Sequence, residues 1–325
     1  MKKGLAIVAL AMILCGLGGV GSVWAADAAM VVEIVRGEAQ YSGGPKEGQG
    51  IQLMDFLSQG DVVTLLPDTV IVLNYLDSGN REQVTGPGRI TVGAASSEAQ
   101  DGATIETSQA AFTPPTSLVS SPGSGQFGAV TLRGTGISSS RPPMTDPMKQ
   151  RLDQYKRDCV GPDKVAVTNL YQTATLSRRP VFQWAAVPGA QSYIFTLFDS
   201  SGQKLMDQKI DTNSFEVPEP GLVAGTRYRW SVQALAGNKE VASSWSEFWV
   251  LTGEQRQKVE ADEKKIKDRG GDSTETQIAL TFMYQSNKLF DMAADTLRGL
   301  AAKYPNNENI AARLAKLDPA AGVIQ

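Results

Sequence analysis

The hydrophobic pattern of this chain changes its period once, and the change separates a β part from an α part. Between residues 30 and 252 the apolar residues form short runs that are rich in β-branched and aromatic side chains and are separated by Gly, Pro, Asp and Ser. Such runs are typical of strands joined by turns. After residue 272 the apolar residues recur with helical spacing. The sequence therefore predicts a mainly β, multi-domain fold with a C-terminal α segment.

Residues 1–25 have the features of a secretory signal peptide. Lys2 and Lys3 precede an apolar stretch, and the small residue Ala25 stands at the expected cleavage point. Glycines shorten the apolar stretch below the roughly 18 residues that a spanning helix requires. We expect cleavage after Ala25, with an uncleaved membrane anchor as the alternative. The protein is then periplasmic or otherwise exported, in the cell envelope of a Gram-negative-type bacterium.

Composition excludes several kinds of chemistry. The chain contains no histidine, which excludes Ser-His-Asp and Cys-His catalytic sites and the common zinc sites. After cleavage Cys159 is the one remaining cysteine, so no intramolecular disulfide can form. Loss of Lys2 and Lys3 from the 31 basic residues leaves 29 against 34 acidic ones, and this net charge of −5 disfavours nucleic acid as a partner. We expect no catalytic residue, no cofactor and no metal.

Residues 28–97 are predicted to form a first β domain. Its third apolar run, Thr69-Val-Ile-Val-Leu-Asn-Tyr-Leu76, is apolar on both faces, so we expect both faces to be covered. Asp77-Ser-Gly-Asn80 then has the composition of a tight turn.

Three motifs of this domain resemble the FecR-like domain, the periplasmic module of iron-dicitrate sensor proteins. They are Gln59-Gly-Asp-Val-Val-Thr64, Ile71-Val-Leu-Asn-Tyr-Leu-Asp-Ser-Gly79 and Val84-Thr-Gly-Pro-Gly-Arg-Ile-Thr-Val92. The resemblance implies a periplasmic β domain. The sensors carry a cytoplasmic anti-sigma segment and a membrane helix before this domain, whereas a signal precedes it here, so a sigma-regulating role is not implied.

Residues 98–146 are rich in Ser, Thr, Gly and Pro and are predicted to form an extended linker, in which Gln126–Leu132 alone has a strand pattern. Pro147 then predicts the first position of a short helix over 147–160. The apolar stripe of this helix consists of Met148, Leu152, Tyr155 and Cys159. We therefore assign Cys159 to packing rather than to reactivity.

Residues 165–252 contain short, evenly spaced strand patterns with aromatic residues, which are typical of a β-sandwich. The motifs that resemble a fibronectin type III or immunoglobulin-like domain are Pro180-Val-Phe-Gln-Trp184, Gly189-Ala-Gln-Ser-Tyr193 and Leu222-Val-Ala-Gly-Thr-Arg-Tyr-Arg-Trp-Ser-Val232. The resemblance implies that Tyr228 is a corner tyrosine that bonds back to the backbone.

The tryptophans of this region allow two interpretations, a sugar-stacking platform or a packed core. The residues are Trp184, Trp230, Trp245 and Trp249. We favour the core for Trp184 and Trp230. We expect partial exposure for Trp245, which follows two serines.

Residues 253–271 are almost entirely charged or Gln, with Val259 and Ile266 as the large apolar exceptions, so we expect a solvated connector. Thr274 and Gln277 form a capping-box pattern at the start of a helical segment over 272–318.

The helical segment resembles a tetratricopeptide repeat. The matching residues are Tyr284, Phe290, Ala293, Leu297, Leu300 and Pro305, and a further helix is predicted over 309–317. One such unit cannot bury its own apolar face. We therefore expect it to pack on the neighbouring sandwich or on another protein.

Together these parts predict a non-catalytic interaction or scaffold protein that binds another envelope protein through its β modules and its helical tail. The alternative is a protein that binds glycan or peptidoglycan through exposed aromatic residues, for which Trp245 is the candidate. A carboxylate-only hydrolase is a third hypothesis, but the sequence indicates no acidic cleft for it. Membrane contact is expected only through an uncleaved signal, and the sequence identifies no further binding residue.

Overall fold

The computed structural model describes residues 27–110, 112–113, 147–318 and 320–321. The predicted signal peptide and the candidate strand at 126–132 lie outside these ranges. The described residues form two β units and one helical unit. Within them, no helix combines the length and the apolar character needed to cross a membrane.

The first β unit consists of two antiparallel sheets with a common core. Its strands are β1 (Asp27–Arg36), β2 (Ala39–Ser42), β3 (Phe56–Ser58), β4 (Val62–Leu65), β5 (Val70–Tyr75), β6 (Asn80–Thr85), β7 (Gly88–Val92), β8 (Ser97–Gln100) and β9 (Thr104–Gln109). Among the described residues, the strand orders are β3-β1-β5-β6-β9 in one sheet and β2-β4-β7-β8 in the other. Leu73 and Tyr75 of one sheet pack with Val63 and Ile90 of the other.

Strand β5 is buried on both faces, as the sequence predicts. Ile71 and Leu73 belong to the core between the two sheets, whereas Val72 belongs to a second core that is shared with the helices. The tight turn after β5 is also confirmed, with Gly79 at a φ of 69° that favours glycine.

The predicted linker boundary at residue 98 is wrong, because the chain forms two more strands before it leaves the first β unit. Strand β8 pairs with β7, and β9 pairs with β6. Most side chains of β8 and β9 are exposed and polar. Backbone pairing does not require apolar side chains, so a polar composition concealed these strands. The first β unit therefore extends to Gln109.

The second β unit is a β-sandwich, as predicted. Its strands are β10 (Thr173–Thr175), β11 (Val181–Gln183), β12 (Ser192–Phe198), β13 (Lys204–Ile210), β14 (Ser214–Glu216), β15 (Arg227–Ala236) and β16 (Lys239–Val250). The described strands form a sheet of order β10-β16-β15-β12-β13 and a pair β11-β14. Phe182 of the pair packs against Phe195 and Trp230 of the sheet, at ring-centroid distances of 4.8 and 4.9 Å.

A helix before the sandwich, α1 (Pro147–Cys159), packs on it. The buried residues Tyr155 and Cys159 join the sandwich core. The Tyr155 hydroxyl also donates to the Val167 carbonyl at 2.7 Å. The packing role of Cys159 is therefore confirmed, and Tyr155 and Cys159 are the residues of the predicted apolar stripe that reach the sandwich core.

The helical unit contains, within the described chain, α2 (Gly253–Gly270), α3 (Thr274–Ser286), α4 (Phe290–Lys303) and α5 (Glu308–Leu317). The prediction of a connector over 253–271 is wrong, because α2 is a regular helix that packs through Val259 and Ile266. The predicted N-cap of α3 is displaced by one residue, since the Ser273 side chain, not that of Thr274, accepts from the Thr276 amide.

The helices lie against both β units of their own chain. Their core contains Phe282 of α3, together with Met30 and Leu53 of the first β unit and Ala174 and Leu251 of the sandwich. Eleven of the thirteen residues of α3 are buried, so this helix is covered on nearly all sides. The expected packing on the sandwich is present, and the contact with the first β unit is additional.

Candidate functional site

Polar side chains join the helical unit to the first β unit. Glu275 of α3 accepts a hydrogen bond from the Asn74 amide at 2.9 Å and an ion-paired bond from Arg81 at 2.9 Å. Asn307 and Asn309, at the start of α5, both donate to the Leu53 carbonyl at 3.1 Å. Because Asn74 and Glu275 are buried, this contact is held away from competing water.

Arg313 of α5 is buried at the same junction without a hydrogen-bond partner among the described residues. Its guanidinium lies 5.3 Å from the ring centroid of Phe56 and 5.2 Å from that of Phe282. Burial lowers the pKa of Arg313 to about 10. The two aromatic rings partly compensate the lost hydration through cation–π attraction. Arg313 therefore connects β3 with α3 and has the contacts of a structural residue.

The start of α4 joins the helical unit to the sandwich. The Thr173 hydroxyl accepts from the Phe290 amide at 2.9 Å and donates to the Lys288 carbonyl at 3.0 Å. The Asp291 carboxylate accepts from the Leu170 amide at 2.8 Å. The two β units are therefore connected through the helices as well as along the chain.

A polar cavity of about 320 Å³ lies where α1, α4 and the sandwich meet, and its lining includes Arg151, Asp291, Asp295, Arg298 and Asp318. Arg151 donates to the Tyr171 and Leu317 carbonyls. Arg298 is paired with Asp295 and Asp318. Burial raises the pKa of Asp291 to about 6 despite its bond from Leu170 and the nearby Arg151 charge. Because Arg298 is ion-paired and Arg151 is bonded to backbone carbonyls, the cavity has the character of a structural polar network.

The tryptophans separate as the sequence predicts. Trp184 and Trp230 are in the sandwich core, at 1% and 0% exposure, whereas Trp245 is 44% exposed. Trp249 is partly buried where the sandwich meets the helices, with the Lys288 ammonium 5.6 Å from its ring centroid. Of these four residues, Trp245 alone offers an open aromatic surface.

A groove of about 620 Å³ runs between α1 and Trp245 on strand β16. We call it the Trp245 groove, and its residues are Pro147, Gln150, Arg151, Asp153, Gln154, Arg157, Gln172 and Trp245. The Arg229 guanidinium lies 4.9 Å from the Trp245 ring centroid. Sequence reasoning identified Trp245 but missed the α1 residues, because the packing of a helix on this strand has no local sequence signal.

Two further residues singled out in the sequence, Tyr228 and Cys159, have structural roles. The Tyr228 hydroxyl accepts from the Val223 amide at 2.9 Å and lies 3.3 Å from the Val223 carbonyl, so it is the predicted corner tyrosine. Cys159 is buried, and burial raises the pKa of its thiol to about 12, which disfavours the reactive thiolate. The described residues contain no group of three acidic or cysteine side chains able to hold a metal ion.

Two sheets end in exposed strands. Among the described strands, β13 is hydrogen-bonded only to β12, and β9 only to β6. Both strands are largely exposed along their length. Leu205 of β13 is a large apolar side chain with 45% exposure.

No protein-family model matches this chain, and no curated protein does. The fn3 domain of human collagen alpha-1(XX) chain is 18% identical with a TM-score of 0.24, over 29% of this chain and 91% of that domain. An Fn3-like protein from Clostridium thermocellum is 21% identical with a TM-score of 0.21, over 26% of this chain and 93% of that protein. TM-scores this low support no argument about function, and the assignment of a sandwich rests on the sheets described above.

Proposed function

We propose that this chain is an exported, non-catalytic scaffold protein of the bacterial cell envelope that binds another envelope protein. The features that support export are the signal-like residues 1–25 and the FecR-like motifs of the first β unit. The lack of histidine and the paired charges of the polar cavity favour binding over catalysis. The observation that carries the proposal is the open edge of β13 on a body whose units pack against one another.

Strand β13 has the properties of a selective edge. Its exposed backbone can accept an added strand, which is a common mode of peptide recognition. Lys204 and Lys209 lie on it, and Asp207 pairs with Lys204, which leaves a net positive strand. Lysine on an edge strand opposes pairing with a second copy and favours a strand of opposite charge. We therefore propose that β13 binds an extended, acidic segment of another envelope protein.

The helical unit has a supporting role in this proposal. We infer that the helices form a tetratricopeptide-like unit. The β units of the same chain pack on its inner surface, so a partner cannot bind there. Its remaining surface is charged, with ion pairs along α2 such as Arg256–Glu260. A partner that contacts the tail must bind this outer surface, so the primary contact in our proposal lies on the sandwich.

Site-specific photo-crosslinking in living cells tests the proposal. A photoreactive residue is placed at Leu205 on β13, and adducts of the tagged full-length protein are identified. The matched control is Thr107 on β9, which is also an exposed edge strand but has Glu106 as its charged residue. We expect a specific protein adduct at Leu205, none at Thr107, and a severalfold lower yield with Lys209→Glu.

The opposite results are equally clear. Identical adducts at both edges would indicate nonspecific proximity and would remove the assignment of β13. The absence of any protein adduct at Leu205 would contradict the proposal of a partner at this edge.

A further inference from the structure

We propose that the Trp245 groove binds an acidic saccharide, which means a short glycan that carries a carboxylate. This site is separate from the protein-binding edge proposed above, because β15 and β12 lie between β16 and β13 in the sheet. The inference therefore does not depend on a partner at β13. It rests on the aromatic surface, the polar lining and the charge of the groove.

The aromatic surface is fixed in place. Arg229 stacks on Trp245 and donates to the Glu247 carboxylate at 2.9 Å, so both partners hold its guanidinium. The same sheet buries the larger part of its aromatic side chains, which makes the exposure of Trp245 an exception. Arg229 covers one face of the indole, so the other face is the one available to a sugar ring, and its rigid position keeps the entropic cost of stacking low. The C–H faces of sugar rings are suited to such a surface.

The other side of the groove supplies hydrogen-bonding groups. Gln154 of α1 and Gln172 next to β10 line the groove with primary amides. Their nitrogens already donate, to the Asp158 carboxylate and to the Tyr171 hydroxyl, but each amide oxygen has two lone pairs and can accept from a sugar hydroxyl. A groove of about 620 Å³ is also within the range usual for small-ligand sites. The lining therefore matches a polyhydroxylated ligand.

The charge of the groove selects an acidic ligand. Arg151 is buried, donates to backbone carbonyls and lies near the charges of Asp291 and Asp318, so it is compensated within the protein. Asp153 is paired with Lys149. Arg157 donates to the neutral Gln154 amide oxygen at 2.6 Å and takes part in no ion pair among the described residues, so it is the positive charge that the groove leaves for a ligand. Arg157 is exposed and has unused donors for a planar carboxylate.

The test uses the purified full-length protein and three soluble probes. Two are acidic, an oligomer of uronic acids and a mixture of muropeptides, and the third is a neutral glucose oligomer of the same length as the uronic acid oligomer. Binding is followed by titration calorimetry and by quenching of tryptophan fluorescence. We expect saturable binding of at least one acidic probe, about tenfold tighter than the neutral oligomer, and the two acidic probes distinguish a polysaccharide from a cell-wall source.

Variants assign the binding to the groove. Trp245→Ala should weaken binding about tenfold or more, while Trp245→Phe, which keeps an aromatic ring, retains most of it. Arg157→Gln should lower the affinity for the acidic probe to the affinity for the neutral probe. Val181→Ala removes a similarly exposed apolar side chain on β11 and should leave binding unchanged.

Three outcomes would overturn the inference. The first is no saturable binding of any probe, and the second is unchanged affinity in Trp245→Ala. The third is shielding of Trp245 from solvent in the ligand-free protein. Acrylamide should quench the fluorescence of Trp245 there, and this fluorescence is measured as the difference between the parent and Trp245→Phe. If Trp245 is shielded from acrylamide there, the groove is already filled by the protein itself and the proposed ligand has no site.

Discussion

At the scale of single residues, three of the charged side chains at the junctions between the units differ in what compensates their charge. Arg151 is compensated by hydrogen bonds to backbone carbonyls, and Arg313 by two aromatic rings. The Asp291 carboxylate accepts one backbone bond, and burial raises its pKa. Ionised Asp291 therefore opposes the folded state, and this residue should make stability depend on pH.

We predict that Asp291→Asn stabilises the protein at neutral pH. In the folded state Asp291 keeps its proton up to a pKa of about 6, compared with the ordinary value of 3.8, so its favourable contribution is present below pH 4 and is lost as pH rises through 6. Asparagine stays neutral and can still accept from the Leu170 amide. The variant should gain up to about 3 kcal/mol over the parent at pH 7 and little at pH 4.

Urea unfolding at a series of pH values from 4 to 8 measures this difference. The charges that face Asp291, those of Arg151, Asp295 and Asp318, are retained in both proteins, so their own titration largely cancels. Asp211→Asn, in the exposed loop after β13, is the control, because it makes the same substitution at a site that is open to solvent. A pH-independent gain, or a loss at pH 7, in Asp291→Asn would refute the explanation.

At the scale of elements, α2 shows how a helix forms with few apolar residues. The Thr252 side chain accepts from the Gln255 amide, and the Gln255 side chain accepts in return from the Thr252 amide, which is a complete capping box. Ion pairs at a spacing of four residues continue along its surface. Val259 and Ile266, two turns apart, then suffice to attach the helix to α3.

We predict that Thr252→Ala loosens α2. Loss of the side-chain acceptor should cost about 1 kcal/mol, and the first turn of α2 should open first because it has no buried side chain. Hydrogen exchange of peptides that cover residues 253–258 should be faster than in the parent. Thr252→Ser keeps the acceptor and should exchange at nearly the parental rate. Equal exchange in the alanine and serine variants would show that the cap contributes nothing.

The same elements show what the sequence can and cannot predict. Buried positions were predicted well, as for Trp230 and β5, because apolar periodicity reports burial directly. Strand β9 and helix α2 were missed because their exposed polar residues give no such signal. Trp245 was predicted to be partly exposed, but the α1 side of its groove depends on tertiary packing. The contact between Asn74 and Glu275 joins residues 201 positions apart and is invisible in local patterns.

At the scale of the whole molecule, the helices convert two β units into one packed body. The apolar core of the helical unit includes residues from both β units, and its polar contacts reach Asn74 on one side and Thr173 on the other. Units that share a core in this way lose stability together when the contact is removed. A defect introduced at the first β unit should therefore be detectable in the sandwich.

We predict that Glu275→Ala lowers the stability of the entire body by about 2 kcal/mol, because it removes the carboxylate to which the buried Asn74 amide and Arg81 both donate. Circular dichroism at 222 nm follows the helices during thermal unfolding. In a Trp249→Phe background, which removes the tryptophan at the contact with the helical unit, tryptophan fluorescence follows the sandwich, since the other tryptophans of the described residues lie there. Both midpoints should fall by the same amount.

Glu260→Ala on α2 is the matched control, since it breaks the exposed pair with Arg256 and should change either midpoint only slightly. If Glu275→Ala lowers the helical midpoint and leaves the fluorescence midpoint unchanged, the sandwich unfolds on its own and the helices do not couple the two β units. If both midpoints fall together, the helical unit transmits stability between them. A strain applied by a partner at β13 would then be opposed by the whole body rather than by the sandwich alone.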